Sequence, residues 1–345
     1  MAKFKYFGAY LIPLFGLLAF STTGFIPYTG IIILYVLVPI IEHLYPPNSY
    51  NLEETERALA KEDPFYDFVV CMIVPLHLFT AYYFLTTIDD ATLTWSDTFI
   101  RIATMGTILS VIGINVGHEL GHKTNHFVKQ VLAQILLTSS MQNHFVPYHN
   151  GGHHKDIGTP ADLTSARKGD NYYFFAVRSQ IGGYFKTWGL EAKRLRSIGK
   201  NPKLNPMILY TILPLLLLLG IYLVFGGYAT VCYFIAAVYG IAMLESQNYF
   251  AHYGLRRKKQ ENGRYERVNA KHSWNSDHII GRVLLFELTR HSDHHHMGAK
   301  DFQILDSKEE SPMLPFGYPL MLILSFFPFI FRPLMDKQLA LYGIE

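Results

Sequence analysis

The chain has 345 residues, half of them apolar and 15% aromatic, with 30 Lys and Arg against 27 Asp and Glu and a formal charge of +3. That balance leaves no strong electrostatic footprint for nucleic acid, and the two cysteines, Cys71 and Cys232, make neither a Cys-x-x-Cys pair nor a disulfide framework. The apolar residues are gathered in long uncharged runs, which predicts an integral membrane protein.

Lys3 and Lys5 precede a first apolar run over 6–25. A basic start before an apolar stretch resembles a signal peptide. No small-residue cleavage site follows, and a second run over 28–45 begins at once, so the first is read as a membrane helix. Further runs cover 65–88, 98–117, 206–226 and 229–250. Each is near the ~20 residues that a spanning helix needs. Short turns at Gly24–Thr29, Asp89–Trp95 and Gly226–Gly227 carry no Lys or Arg and join the runs into three hairpins.

Between the fourth and fifth runs, 127–146 is apolar but cannot span without inverting the later topology, so a packed or interfacial helix is expected. The stretch 155–203 carries ten Lys or Arg against four Asp or Glu, and 256–271 carries seven against two. The positive-inside rule puts these segments and both termini in the cytoplasm, with the chain in the inner membrane. The acidic loop at 46–63 adds nothing to that orientation. A last apolar run at 319–334 contains Pro328 and Pro333, which predicts an interfacial or re-entrant helix. The expectation is one all-α integral membrane domain over 1–345. Six transmembrane helices carry a cytoplasmic, histidine-rich di-metal cap formed by 118–205 and 251–345.

Nine histidines fall in four clusters at the ends of these runs: His118 and His122; His149, His153 and His154; His252; and His291, His294 and His295. A helix puts His118 and His122 on one face. Gly151 and Gly152 leave the second cluster free to turn so that its three rings converge. Imidazole is the commonest protein metal ligand, and nine exceed the three or four that a zinc ion takes. With no thiolate and few carboxylates in the clusters, the set favours two non-haem irons with positions open to O₂. No catalytic group beyond the ligands is singled out. Asn115, Glu119, Glu245, Asn248 and Asp293 are candidates to support them, and a carboxylate inside a span, as Glu245 is, is usually functional or paired. His296 adjoins the fourth cluster and stays open as a ligand. His43 and His77 read as packing residues, and His126, His144, His272 and His278 as neighbours of the clusters.

The tracts His118-Glu-Leu-Gly-His-Lys, Asn248-Tyr-Phe-Ala-His-Tyr-Gly-Leu, Gly263-Arg-Tyr-Glu-Arg-Val, His272-Ser-Trp-Asn-Ser and Arg290-His-Ser-Asp-His-His resemble, in order and spacing, the membrane-bound alkane 1-monooxygenases. The likeness runs from about residue 60 to 340. It implies that the nine histidines are the ligands of two irons. It also implies that O₂ is used to hydroxylate a terminal alkane carbon to a 1-alcohol. The electrons would come from rubredoxin, fed by an NAD(P)H-dependent reductase, and the basic segments would be a natural dock for an acidic donor. Two positions depart from the family: Tyr148 and Ala251 stand where it usually has Glu. Related readings are a fatty acyl or sterol hydroxylase or desaturase, an intramembrane zinc protease using His118, Glu119 and His122, and a metal transporter. The protease reading leaves seven histidines unused, and a transporter would hold its ligands nearer the bilayer midplane.

Overall fold

In lipid, a long uncharged run can satisfy its backbone only by internal hydrogen bonds, which makes each of these runs a helix. The computed structural model describes residues 2–298 and 300–344. Among them there are helices and loops but no sheet, only the isolated bridges Lys259–Tyr265 and Asn275–Met313. Helix α1 spans Lys3–Ser21, α2 Ile26–Leu44, the short α3 Glu54–Glu62, α4 Phe65–Thr87 and α5 Trp95–Gly121. After α6 (Phe127–Ser139), α7 (145–156) and α8 (Tyr172–Ser197) comes α9, Met207–His252. Helices α1, α2, α4, α5 and α9 are long and apolar enough to cross a membrane.

At 1.5 Å per residue, the 46 residues of α9 would reach about 70 Å, more than twice the hydrocarbon thickness. The helix is broken at Gly226, whose φ of 83° and ψ of 175° are open to glycine and costly for other residues. Contacts on either side run in opposite senses. Thr211 hydrogen-bonds Tyr184 (2.7 Å) near the histidine end, and Phe225 packs on Tyr82 at the other end. Tyr228 then meets Thr98 at that far end, and His252 is back among the histidines. The chain reverses at Gly226 between two halves of about spanning length.

The two ends of the bundle differ in chemistry. At the far end the buried Arg101 donates to the carbonyls of Thr22 and Thr87, both at 2.8 Å, and so caps α1 and α4 together. At the histidine end, Lys5–Glu287 and Arg57–Asp306 tie the N-terminus and α3 to the later loops, Lys3–Asp63 joins the N-terminus to the end of α3, and Arg282–Glu287 braces the loop itself. Helix α6 buries Ala133, Leu136 and Leu137 against the rest of the bundle and leaves Phe127 and Val128 exposed, so it is packed, as expected, but ends earlier. Helix α8 was not predicted because its sequence mixes charged and apolar residues. It crosses both halves of α9, with the Tyr172 hydroxyl on the Ala242 carbonyl and the Tyr184 hydroxyl on Thr211. In the C-terminal region α10 (Ile279–Leu284) and α11 (His291–His296) precede α12 (Tyr318–Ser325) and α13 (Pro328–Leu341). Only one of the two prolines breaks the last run. Pro328 opens α13, where its missing N–H costs nothing, whereas Pro333 lies within that helix.

Helix α5 and the returning half of α9 cross in backbone contact. A Cβ on Gly106 would stand 2.6 Å from the Ala236 carbonyl oxygen, and one on Gly240 2.8 Å from that of Gly106. Small residues permit this approach. Gly106→Val is expected to destabilise the protein by about 1–3 kcal/mol, as overpacking does. Gly220→Ala, with open space around it, should be neutral or mildly stabilising. Thermal unfolding of both variants in detergent checks this, and an unchanged transition for Gly106→Val would contradict the crossing.

Candidate metal centre

Four elements deliver the histidines. The last turns of α5 carry His118, with His122 just beyond, and α9 ends on His252. Helix α11 carries His291, His294 and His295, so i, i+3 and i+4 share one face. Helix α7 needs a different device. His149, His153 and His154 sit at i, i+4 and i+5, and an α-helix would turn the last ring away. The backbone instead makes a π-turn over His149–His153, closed by the His154 N–H on the His149 carbonyl. This wider turn brings both later rings to the side of the first. Gly152 lets the turn pack closely, since a Cβ there would stand 3.0 Å from Leu190.

All nine imidazoles converge, in two groups. Possible ligand atoms of His118, His122, His149, His154 and His294 all lie within 4.8 Å of one another, and so do those of His153, His252 and His295. His291 joins the second group, its Nε2 3.2 Å from that of His252 and 2.9 Å from that of His295. In the first group the nearest Nε2–Nε2 pairs stand from 2.8 Å (His118–His122, His149–His154) to 3.4 Å (His149–His294) apart. The groups adjoin, with the His154 and His295 rings 4.5 Å apart.

These spacings are those of nitrogens around a cation. Ligands at ~2.1 Å from a common ion and at right angles to one another stand about 3 Å apart. Burial holds the imidazoles of His149, His154 and His294 far below their ordinary range, and burial with the neighbouring Lys123 holds His122 at about 3. They are therefore neutral, which is the form that binds metal. Neutral rings aiming Nε2 at two or three others cannot all be satisfied by the one proton each carries.

The structure separates the supporting candidates. Glu119 faces away from the cluster and pairs with Lys123 (3.1 Å), which also pairs with Asp301, so it is not set as the general base of a zinc protease. Asp293 does not orient a ring: it takes Lys300 at 2.5 Å, Lys308 at 3.4 Å and the backbone N–H of Asp306. Asn115 donates to the Leu285 carbonyl. Glu245 accepts from Gln180 (2.5 Å) and Asn248 (3.4 Å), with no histidine among its hydrogen-bond partners. His296 is exposed, and His77 hydrogen-bonds Ser139 at 2.8 Å.

The carboxylate that does hold a cluster histidine was missed from the sequence. Asp162, nine residues beyond His153 in a loop, accepts from its Nδ1 at 2.8 Å. Ser165 and Thr164 hydroxyls donate to the same carboxylate at 2.6 and 2.7 Å, and the Tyr148 hydroxyl at 3.2 Å. Burial works against its charge, but His153 and these hydroxyls hold the carboxyl well below its usual range. One signal was available: Asp-x-Thr-Ser at 162–165 is a run of local hydrogen-bonding residues close to a ligand cluster. Tyr148, one of the two departures, thus supports His153 through Asp162. The other, Ala251, is fully buried among Tyr249, Phe250 and Trp274, and its carbonyl accepts from the Trp274 N–H, so apolar packing fills that position.

Two cavities lead to the histidines from one side. The larger is walled by Ile12, Leu34, Val111, Met243, Phe250 and Leu284, among other residues, none of them charged. Ser110, Asn115 and Gln247 are shared with a second that reaches His118, His149 and His291.

The sequence profile of the fatty acid desaturase family matches residues 94–323. The chain is 36% identical to alkane 1-monooxygenase 1 of Alcanivorax borkumensis, over 94% of this chain and 81% of that protein. It is 33% identical to the alkane 1-monooxygenase of Ectopseudomonas oleovorans, over 95% and 82%. A more distant relative, the xylene/toluene monooxygenase hydroxylase component XylM of Pseudomonas putida, is 27% identical over 62% of this chain. Matches of this length, across the helices that carry all four histidine clusters, make this chain a member of the fatty acid desaturase family and, within it, of the alkane 1-monooxygenases.

Proposed function

We propose that the protein hydroxylates the terminal carbon of alkanes to 1-alcohols with O₂ at a di-iron centre. His118, His122, His149, His154 and His294 would hold one iron, and His153, His252, His291 and His295 the other. The observation that carries this reading is the convergence of nine imidazoles at the inner end of an uncharged cavity. When bound, the irons supply the redox chemistry that activates O₂. The protein's own part is to orient the rings, exclude water and hold the chain end. A methyl group offers no polar handle, so selectivity for it rests on cavity shape and alignment. The cavity has no Lys or Arg to anchor a carboxylate or thioester. This favours an unfunctionalised chain over a fatty acyl substrate, although the desaturase profile keeps the two chemistries related.

Electrons would come from rubredoxin and its NAD(P)H-dependent reductase, docking on the histidine end. The basic segments 155–203 and 256–271 suit an acidic partner there. In the orientation proposed, six segments cross the inner membrane, with α9 counted as two. Both termini and the capping segments 118–205 and 251–345 then face the cytoplasm.

Membranes supplied with rubredoxin, its reductase, NADH, O₂ and a ladder of n-alkanes should form 1-alcohols, read by gas chromatography. Alkene products, or turnover only with acyl thioesters, would favour a desaturase or acyl hydroxylase. His294→Ala should abolish turnover. Asp162→Asn removes the charge that orients His153 and should cost about 10–100-fold in activity or metal affinity. Wild-type activity and metal retention in that variant would contradict the role given to Asp162.

A further inference from the structure

Glu245 has no use in the arrangement described so far. It is 2% exposed, lies inside an apolar helix, and is bonded by neutral amides, with no cation within ion-pair distance among the described residues. Such a group at membrane depth is costly and is usually functional. Three other buried carboxylates of the histidine end are committed: Asp162 to His153, Asp293 to Lys300, Glu287 to Arg282.

What surrounds Glu245 is a second approach to the centre. A cavity of ≈ 10 Å³, about the room one water needs, is lined by Glu245, Asn248, Gln142 and Gln180 and reaches His149 and His153. Gln142, His144 and Gln180 also line a groove of ≈ 400 Å³ between α8 and the outgoing half of α9, and this groove is open to the outside. Gln142 donates to Gln180 (3.2 Å) and Gln180 to Glu245 (2.5 Å). The Gln142 carbonyl Oε1 is buried with no partner, so the passage keeps an acceptor free for water. The narrow inner passage is thus lined by amides and a carboxylate, and the groove outside it adds Met141, Ile181, Phe185 and Leu215 to Gln142 and Gln180.

Hydroxylation consumes protons as well as electrons: RH + O₂ + 2e⁻ + 2H⁺ gives ROH and H₂O, with O₂ the oxidant and the redox partner the reductant. The larger cavity has no carboxylate or imidazole in its lining. We propose that the passage from the groove past Gln142 and Gln180 is the proton inlet of the centre, with Glu245 the last proton-carrying side chain along it. This rests on the hydroxylase reading for the need for protons, but the passage is a property of the fold. The carboxyl of Glu245 passes a proton toward the oxygen being reduced and regains one from water in the groove.

The test uses the full-length enzyme with its electron donor. Glu245→Gln should keep its iron, lose about 10²-fold in alcohol formation, as removing a proton-transfer group does, and release more hydrogen peroxide per electron. Glu245→Asp should recover part of the rate. Coupled wild-type turnover in Glu245→Gln overturns the proposal, and so does loss of iron together with rate, which would make Glu245 a support for the metal. Gln142→Leu leaves the bonds to Glu245 in place and guards against a folding failure; it should also slow turnover with iron retained. In the metal-free protein, radiolytic hydroxyl labelling should modify Tyr148, which is buried but lines the passage, and Gln142→Leu should reduce that labelling. Absence of labelling at Tyr148 overturns the inlet whatever the enzyme proves to oxidise. A wild type that forms no alcohol but shows the labelling refutes the hydroxylase reading instead.

Discussion

Nine imidazoles pointing their ring nitrogens at one another form an arrangement that the protein alone does not stabilise. At Nε2 separations of 2.8 to 3.4 Å the lone pairs repel unless a proton or a cation lies between them. Burial keeps rings such as His149 and His294 from taking a second proton, and the one that a neutral ring carries cannot fill every gap, which leaves a cation. Much of the surrounding structure serves to hold these rings against their own repulsion, and a metal then gains most from their pre-organisation.

The supporting structure is uneven, and its unevenness has function. Two of the elements that deliver the histidines, α7 and α11, are fixed by groups outside the cluster. The loop before α11 is held by Glu287 between Arg282, Lys5 and Tyr6, with Phe286 and Glu287 both in left-handed backbone conformation. A side chain from the first residues of the chain thus stabilises the turn that aims His291, His294 and His295. Helix α7 is fixed through the π-turn and through Asp162, which Tyr148, Thr164 and Ser165 hold in place. The far end is tied by one buried guanidinium, Arg101, shared between two helix termini. The ion pairs described lie at the two ends, and the middle is left to apolar packing, to the cavities and to Glu245.

The convergent histidines were legible in the sequence because spacing and residue type carry them: i, i+4 on α5, and i, i+3, i+4 on α11. The long helices were legible from apolar length, and the reversal at Gly226 from the glycine pair. What was hidden depends on three-dimensional neighbours. Asp162 is one aspartate among many until the loop returns it to His153. Asp293 looked like a ring-orienting carboxylate because it sits between ligands, but on a helix the residue two after His291 faces the other way, and lysines claim it. Glu119 fails as a base for the same reason. Helix α8 escaped notice because its partners are the two halves of α9, not a periodic pattern of its own. Pro333 shows that a proline within an apolar run need not end a helix.

The centre is asymmetric: an uncharged cavity meets it on one side and a passage lined with amides on the other. That division suits a reaction joining an oil-soluble chain to O₂, electrons and protons. All of it depends on what the nine imidazoles hold, and X-ray absorption of the purified protein, with metal analysis of the same sample, measures this most directly. The account predicts about two irons per chain, each with a shell of nitrogen or oxygen scatterers at ~2.1 Å, the distance of imidazole ligands, and no sulfur. A single zinc, or sulfur in the first shell of the metal, would contradict it.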